Sequence, residues 1–480
     1  MNARSSTTGS RAHIVYTIVV FIVLASLDNA AIALIPSMIP QLEETFGVGT
    51  ALLGVLTATQ VIVTALTAVG WGYMADSGTR KRLLLWGTLI WTLAMALSGY
   101  TTSFPILFAA QVIAGIGLGS IATVGFSVIS DFVAPTRRGF AMSFWGLSQG
   151  IGTLVGSLLA SQAGAGNHSA PFYALAAAGL IFAFLYLFTF EPPRGFREPE
   201  LAALHLEGGS YDHAIAPDQL RDISRVRTNR WLVLQGLTAQ IAYGSLIWVP
   251  LLYQEKVIAQ GYSVTTGQKV GGLFAAMFTV GALFSILAGH IGDRWQRRNL
   301  GGRAYVSAIG ILGAIPFFLI FFAIPLNGLD VTEGASTLTY VGEVVTALFT
   351  NPWVAAAFVS ALFALALTSA DSPNWFALIS DVNLPEHRGT VFGVGNLVNG
   401  VGRGVGTALT TITAQTLQKS IAPPLNLIVS LSVFQIFFLP TGWCYWKAGH
   451  TAPGDITAVR KTLGNRGKIT DHGSQITDSQ

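Results

Sequence analysis

Twelve stretches of predominantly apolar residues, each about 20 residues or longer, divide this 480-residue chain. A helix needs about 20 such residues to cross the hydrocarbon core of a bilayer, where only segments that satisfy their own backbone groups are tolerated. The stretches cover approximately 14–38, 48–75, 82–101, 104–130, 140–163, 170–190, 230–253, 266–292, 303–325, 353–380, 390–417 and 422–447. The chain therefore reads as an all-α membrane protein with twelve transmembrane helices. Composition agrees, because only 10% of residues are charged and a soluble surface needs roughly 25–35%. The first stretch lacks a small-residue cleavage site, outruns a signal-peptide core and contains Asp28. It is kept as a span, and no targeting segment is expected to be removed.

Basic residues mark the cytoplasmic side of short loops. With the N-terminus inside, 23 of the 27 Lys and Arg fall in the tails, the central polar segment and the even-to-odd loops, whereas Lys256, Lys269 and Lys419 fall outside and Arg403 lies within a span. Both termini are expected to be cytoplasmic, in a plasma or inner membrane. The net charge of +4 does not imply nucleic acid. One cysteine, Cys444, excludes a disulfide framework and a cysteine-based metal site.

An internal repeat is visible. Moving residues 129–156 forward by 250 positions superposes 11 of 28 residues, among them Asp131, Pro135, Arg138, Gly139, Gly152 and Gly156 on Asp381, Pro385, Arg388, Gly389, Gly402 and Gly406. A second pair follows spans 2 and 8, where Gly72, Asp76, Arg80 and Lys81 answer Gly289, Asp293, Arg297 and Arg298 at an offset of 217. Two bundles related by an axis along the membrane normal produce such a repeat. The predicted organisation is an N-terminal six-helix bundle over 1–190, a cytoplasmic linker over 191–229, a pseudo-symmetric C-terminal bundle over 230–447 and a cytoplasmic tail over 448–480. The offsets differ by 33 residues, which places an extracytoplasmic insertion near 326–352. Its apolar run from Leu338 to Phe349 is read as an extended loop in preference to an interfacial helix.

These residues resemble the major facilitator superfamily. The family's Gly-x-x-x-Asp-(Arg/Lys)-x-Gly-(Arg/Lys)-(Arg/Lys) signature is matched at Gly72, Asp76, Arg80 and Lys81, with departures at Ser77 and Thr79, and again at Gly289, Asp293, Arg294, Arg297 and Arg298, with a departure at Gln296. Leu27-Asp28, Gly115-x-Gly117, Pro373-Asn374-Trp375, Asp381 and Pro385-x-x-Arg388-Gly389 look like the Spinster group and its bacterial relatives. Gln111 stands where that group usually has an arginine and Leu118 where it usually has a glutamate, departures from its usual proton-coupling arrangement. The resemblance implies alternating access around a central site and lipid-like cargo, such as lysophospholipids or lipophilic drugs in the manner of multidrug efflux.

The loop signatures have a physical reading. Asp76 and Asp293 end spans near the cytoplasmic surface, where each can pair with arginine or complement a helix N-terminus. Gly72, Asp76, Arg80, Gly289, Asp293, Arg294, Arg297 and Arg298 are the candidate conformational latch. Glycines at spacings of two to four residues in spans 5 and 11 let helices approach closely, and in a rocking carrier they would also slide.

Ionisable residues deep in a span are functional candidates by default. Asp28 lies about 14 residues into span 1, roughly 20 Å from the cytoplasmic end. A carboxylate there is costly when charged and can carry the coupled proton, or it is satisfied by neighbours such as Ser26 and Asn29 without a transport role. Asp371 and Arg403 sit roughly 15–21 Å above the loop joining spans 10 and 11. They could pair, or Arg403 could hold an anionic headgroup bidentately. Asn374, Trp375, Asn399, Gln149, Gln240 and Tyr243 are further cavity candidates. Trp71, Trp86, Trp231, Trp443 and Trp446 are read as interface anchors. No catalytic, cofactor or metal motif is recognised, so an enzyme is not expected. The expected partners are a small-molecule substrate, protons and membrane lipids, with the chain acting as a monomer. A secondary active transporter is the leading reading. A facilitator or exchanger of a small organic anion, or a receptor that has lost transport, is the alternative.

Overall fold

The computed structural model describes residues 11–77, 79–125, 128, 138–190 and 225–477. Residues 191–224 of the proposed linker, the tip of the loop between spans 4 and 5 with Asp131, and the side chain of Asp76 lie outside the described residues.

The N-terminal half contains α1 (Ala12–Phe46), α2 (Thr50–Ser77), α3 (Arg80–Tyr100), α4 (Phe104–Gly125), α5 (Arg138–Ala163) and α6 (Ser169–Tyr186). The C-terminal half contains α7 (Arg227–Ile258), α8 (Val264–Arg298), α9 (Gly302–Ala323), α10 (Thr337–Thr350), α11 (Pro352–Val382), α12 (Pro385–Leu417) and α13 (Leu425–Leu463). Among the described residues, ten of these helices are long and apolar enough to cross a membrane. The helices α5 and α12 have the length, 26 and 33 residues, but carry the glycines and amides predicted for spans 5 and 11. Together they make twelve spans.

Local chemistry sets the helix ends. Gly47 takes the left-handed φ of 64°, and its N–H binds the Glu43 carbonyl at 2.9 Å, closing α1. Ser263 opens α8 by accepting from the Thr266 N–H at 3.2 Å, and the Asn351 side chain opens α11 by accepting from the Trp353 and Val354 N–H groups. Beyond 447 the last helix continues rather than leaving the body. Ala452 and Ile456 are buried, and Asp455 accepts from the Thr228 N–H and hydroxyl at the start of α7.

The repeat is repeated in the packing. A Cβ added at Gly152 or Gly156 would lie 2.1 Å or 2.4 Å from the Ser26 or Ala30 carbonyl oxygen of α1. Their counterparts Gly402 and Gly406 meet the Leu237 and Ile241 carbonyls of α7 at 2.6 Å and 2.1 Å. Between the bundles, Gly400 of α12 faces Ala65 of α2 just as Gly150 of α5 faces Ala282 of α8. Only a missing side chain allows such backbone approach. We therefore expect Gly406→Ala to separate α7 from α12 and lower the thermal midpoint of the purified protein, with an overpacking cost of about 1–3 kcal/mol. Gly393→Ala, which meets nothing within 4 Å, is the control and should melt like the wild type.

The insertion departs from expectation. Leu338–Phe349 is not extended but lies within α10, opened by a Ser336 cap and packed through Tyr340, Val344 and Ala347. The pattern is helical because those three buried positions recur at spacings of four and three residues. Trp71 also departs, being buried with its indole N–H on the Ile116 carbonyl at 2.7 Å rather than at an interface.

Candidate functional site

A cavity of about 440 Å³ lies between the bundles near the middle of the spans. From the N-terminal bundle it receives Asp28 of α1, Thr64 and Ala65 of α2, and Gln149 and Thr153 of α5. From the C-terminal bundle come Gln235, Gln240 and Tyr243 of α7, Asp371 and Trp375 of α11, and Asn396, Asn399 and Arg403 of α12. Towards the side opposite the chain termini its wall becomes apolar, with Ile32, Leu246, Ile247, Phe318 and Phe321. The cavity thus has a polar pole and an aromatic, aliphatic pole.

Asp28 and Arg403 interact electrostatically across the bundle boundary. Asp28 is buried, its Oδ1 has no hydrogen-bond partner, and neither does the Arg403 Nε. Neighbours do not satisfy that oxygen: Ser26 donates to the Ile22 carbonyl and Asn29 to the Ala25 carbonyl. An unpaired buried polar atom is costly, and a proton, water or polar ligand atom at this oxygen would lower that cost.

Asp371 and Arg403 are not paired in this conformation. Asp371 Oδ1 accepts from Gln235 Nε2 at 3.2 Å and from the Tyr445 hydroxyl. The Tyr243 hydroxyl donates to the Thr368 carbonyl at 3.4 Å. All these groups belong to the C-terminal bundle, so Asp371 is tied locally while Arg403 looks across to Asp28. Asn374 is a second correction. It is outside the cavity lining, donates to the Ala370 carbonyl at 2.8 Å, and faces Gly292 of α8. Thr368, Ser372, Trp375 and Phe376 set the cavity side of α11, and helical rotation carries position 374 away from them.

At the end nearest the chain termini, the ionic cluster of the C-terminal bundle is centred on Arg303, which the sequence signature did not select. Its Nη2 lies 2.6 Å from Asp293 Oδ1, its Nε donates to the same oxygen at 3.2 Å, and its Nη1 meets Asp381. Gln296, the signature's departure, is buried, donates to the Leu300 carbonyl at 2.8 Å and accepts from the Arg303 N–H at 3.1 Å. Arg294, Arg297 and Arg298 are exposed and form no ion pair within 4.0 Å among the described residues. Helical rotation explains the correction: Asp293 and Gln296 face inward at a spacing of three, leaving the three arginines towards solvent. Gly289 is buried and Gly72 is half-buried beside Thr123.

Helix packing reveals a signal that could have found Arg303. Gly87 of α3 meets the Gly117 carbonyl and Gly310 of α9 meets the Leu367 carbonyl, so these contacts correspond at offsets of 223 and 250. The first offset maps Arg80 onto Arg303, not Arg297, and both arginines are buried. Gln111, at the position of the group's usual arginine, is buried and donates to the Ser98 hydroxyl at 2.8 Å.

Two pseudo-symmetric helical bundles enclosing a central cavity with buried charges define a multi-pass membrane protein. Residues 18–407 match the profile of the Major Facilitator Superfamily, and the chain belongs to that family. It is similar to the sphingosine-1-phosphate transporter of Danio rerio, with 25% identity over 348 residues covering 68% of this chain and 65% of that protein. It also resembles a probable 4-methylmuconolactone transporter of Cupriavidus pinatubonensis, with 26% identity over 258 residues covering 50% of this chain and 56% of the relative. The chain thus spans less than two thirds of the length of these curated relatives. A bacterial homologue of the human lysosomal transporter Spinster, in an inward-facing and unoccupied conformation, shares the fold at a TM-score of 0.63 and 19% identity, covering 93% of this chain and 99% of that one. These relatives are transporters by name, in keeping with the expectation that the chain is not an enzyme.

Proposed function

We propose that the chain is a proton-coupled secondary transporter that moves an amphiphilic small molecule by alternating access. The observation that carries this reading is the two-poled cavity, with Asp28 and Arg403 contributed by different bundles to its polar pole and Phe318 and Phe321 to its apolar pole. An amphiphile places its headgroup among the charges and amides and its chain or ring system against the aromatics. The resemblance to Spinster proteins supports lysophospholipids or lipophilic drugs as cargo, carried by a monomer in a plasma or inner membrane with both termini cytoplasmic. In this reading Asp28 carries the proton, and Gln149, Gln240, Tyr243, Trp375, Asn399 and Arg403 receive the substrate.

Purified protein in proteoliposomes, given a pH gradient and a panel of lysophospholipids, lipophilic drugs and hydrophilic carboxylates, tests this. Gradient-driven movement of the amphiphiles is expected. The same compounds should raise the thermal midpoint, since a ligand at 100 times its dissociation constant adds about 2.7 kcal/mol to native-state stability. A second reading, exchange of a small organic anion, is favoured by the unpartnered Arg403 Nε and by the muconolactone transporter among the relatives. Uptake of carboxylates with lysolipids inert would select it. Binding without movement of any solute under any gradient would leave a receptor.

A further inference from the structure

We propose that α10 is an in-plane membrane helix, seated at the boundary of headgroups and acyl chains in the leaflet opposite the chain termini. It has three sides instead of two. Tyr340, Val344 and Ala347 are buried against the protein and touch α8 and α11. Leu338, Val341, Val345 and Phe349 follow one another at helical spacing on a second side, with Leu338 81% and Phe349 82% exposed. Thr339, Glu343, Thr346 and Thr350 occupy the third side and line a groove with Asn327 and Asp330. One protein-facing, one apolar and one polar side are what a helix needs when it lies between protein, lipid and water.

Lipid is the occupant that fits the apolar side. Only Asn351 separates α10 from α11, and that span carries further exposed apolar residues at Trp353, which also borders the groove, and at Val359 and Phe363 one helical turn apart. Trp353 stands where an aromatic anchor belongs at the membrane surface. The segment before α10 is fastened to the protein. Glu333 accepts from the Ser263 hydroxyl and from the Thr266 hydroxyl at 2.8 Å at the start of α8, while Tyr262 donates to the Leu329 carbonyl at 2.9 Å. The Ser263 and Thr266 bonds hold the pKa of the Glu333 carboxyl below its usual value. Seated in the bilayer surface, α10 fixes the depth of the adjoining ends of α8 and α11.

Spin labels at Leu338→Cys, Val345→Cys and Phe349→Cys, compared with Thr339→Cys and Thr346→Cys, test the placement in full-length protein reconstituted in lipid nanodiscs. The single native cysteine, Cys444, is buried and is replaced by serine in the background. The ratio of oxygen to water-soluble nickel-chelate accessibility is expected to be several-fold higher at 338, 345 and 349 than at 339 and 346. Variants are compared only when their thermal midpoints match that of the background. Equal aqueous accessibility at all five positions would overturn the proposal by showing the helix clear of the bilayer. Protection of the apolar positions from both reagents, relieved on dilution to one chain per disc, would overturn it in favour of a second copy.

Discussion

Asp28→Asn is expected to reduce pH-gradient-driven transport to background while leaving substrate binding and counterflow exchange largely intact. Asparagine preserves the size of the side chain but neither binds nor releases a proton near neutral pH. The carboxylate lies on α1 and the arginine it senses lies on α12, in the other bundle. Any rocking of one bundle against the other changes their separation. At an effective dielectric of about 20, two unit charges 4–8 Å apart interact by roughly 2–4 kcal/mol. Gaining or losing that energy suffices to bind the proton in one conformation and release it in another. Arg403→Ala removes the positive charge that favours ionised Asp28, so the pH profile of transport is expected to move to higher pH. Asp371 is hydrogen-bonded inside its own bundle, and Asp371→Asn should retain a response to the gradient. Wild-type pH dependence in Asp28→Asn would reject the assignment. A wild-type protein indifferent to the gradient would be a facilitator.

The spans, the repeat and the depth of Asp28 and Arg403 were legible in the sequence because each depends on hydropathy, spacing or cost of burial along one chain. Rotation about a helix was less legible. Asn374 and Trp375 are adjacent, yet one faces Gly292 and the other the cavity, a difference fixed by how α8 and α11 meet. Arg303 was missed for a related reason. The loop signature aligns Arg80 with Arg297 at an offset of 217, whereas glycine contacts between helices align Arg80 with Arg303 at 223. Six of the 33 extra residues in the second half therefore fall between spans 8 and 9, and 27 in the insertion. The insertion itself was misread because α10 has no single apolar face. Its apolar residues divide between protein and exterior, a division that hydropathy alone does not separate.

Arg303→Leu is expected to destabilise the C-terminal bundle by about 3–5 kcal/mol, the usual consequence of removing one partner from a buried ionic cluster. Arg303 is the counterion shared by Asp293 and Asp381, with side-chain exposures of 5%, 8% and 18% in that order. Leucine would leave two carboxylates facing one another with water largely excluded. For a unit of this size each kcal/mol is worth about 2–4 °C, so the thermal midpoint should fall by on the order of 10 °C. The three residues lie on α8, α9 and α11, all in one half. Their first effect is therefore on the integrity of that bundle, and a contribution to latching would operate through it. Neutralising the stranded acids distinguishes an electrostatic cause from lost packing: Arg303→Leu combined with Asp293→Asn and Asp381→Asn should recover most of the midpoint. A single variant that melts like the wild type, or a triple variant no more stable than the single, would show that the cluster does not hold the bundle together through its charges.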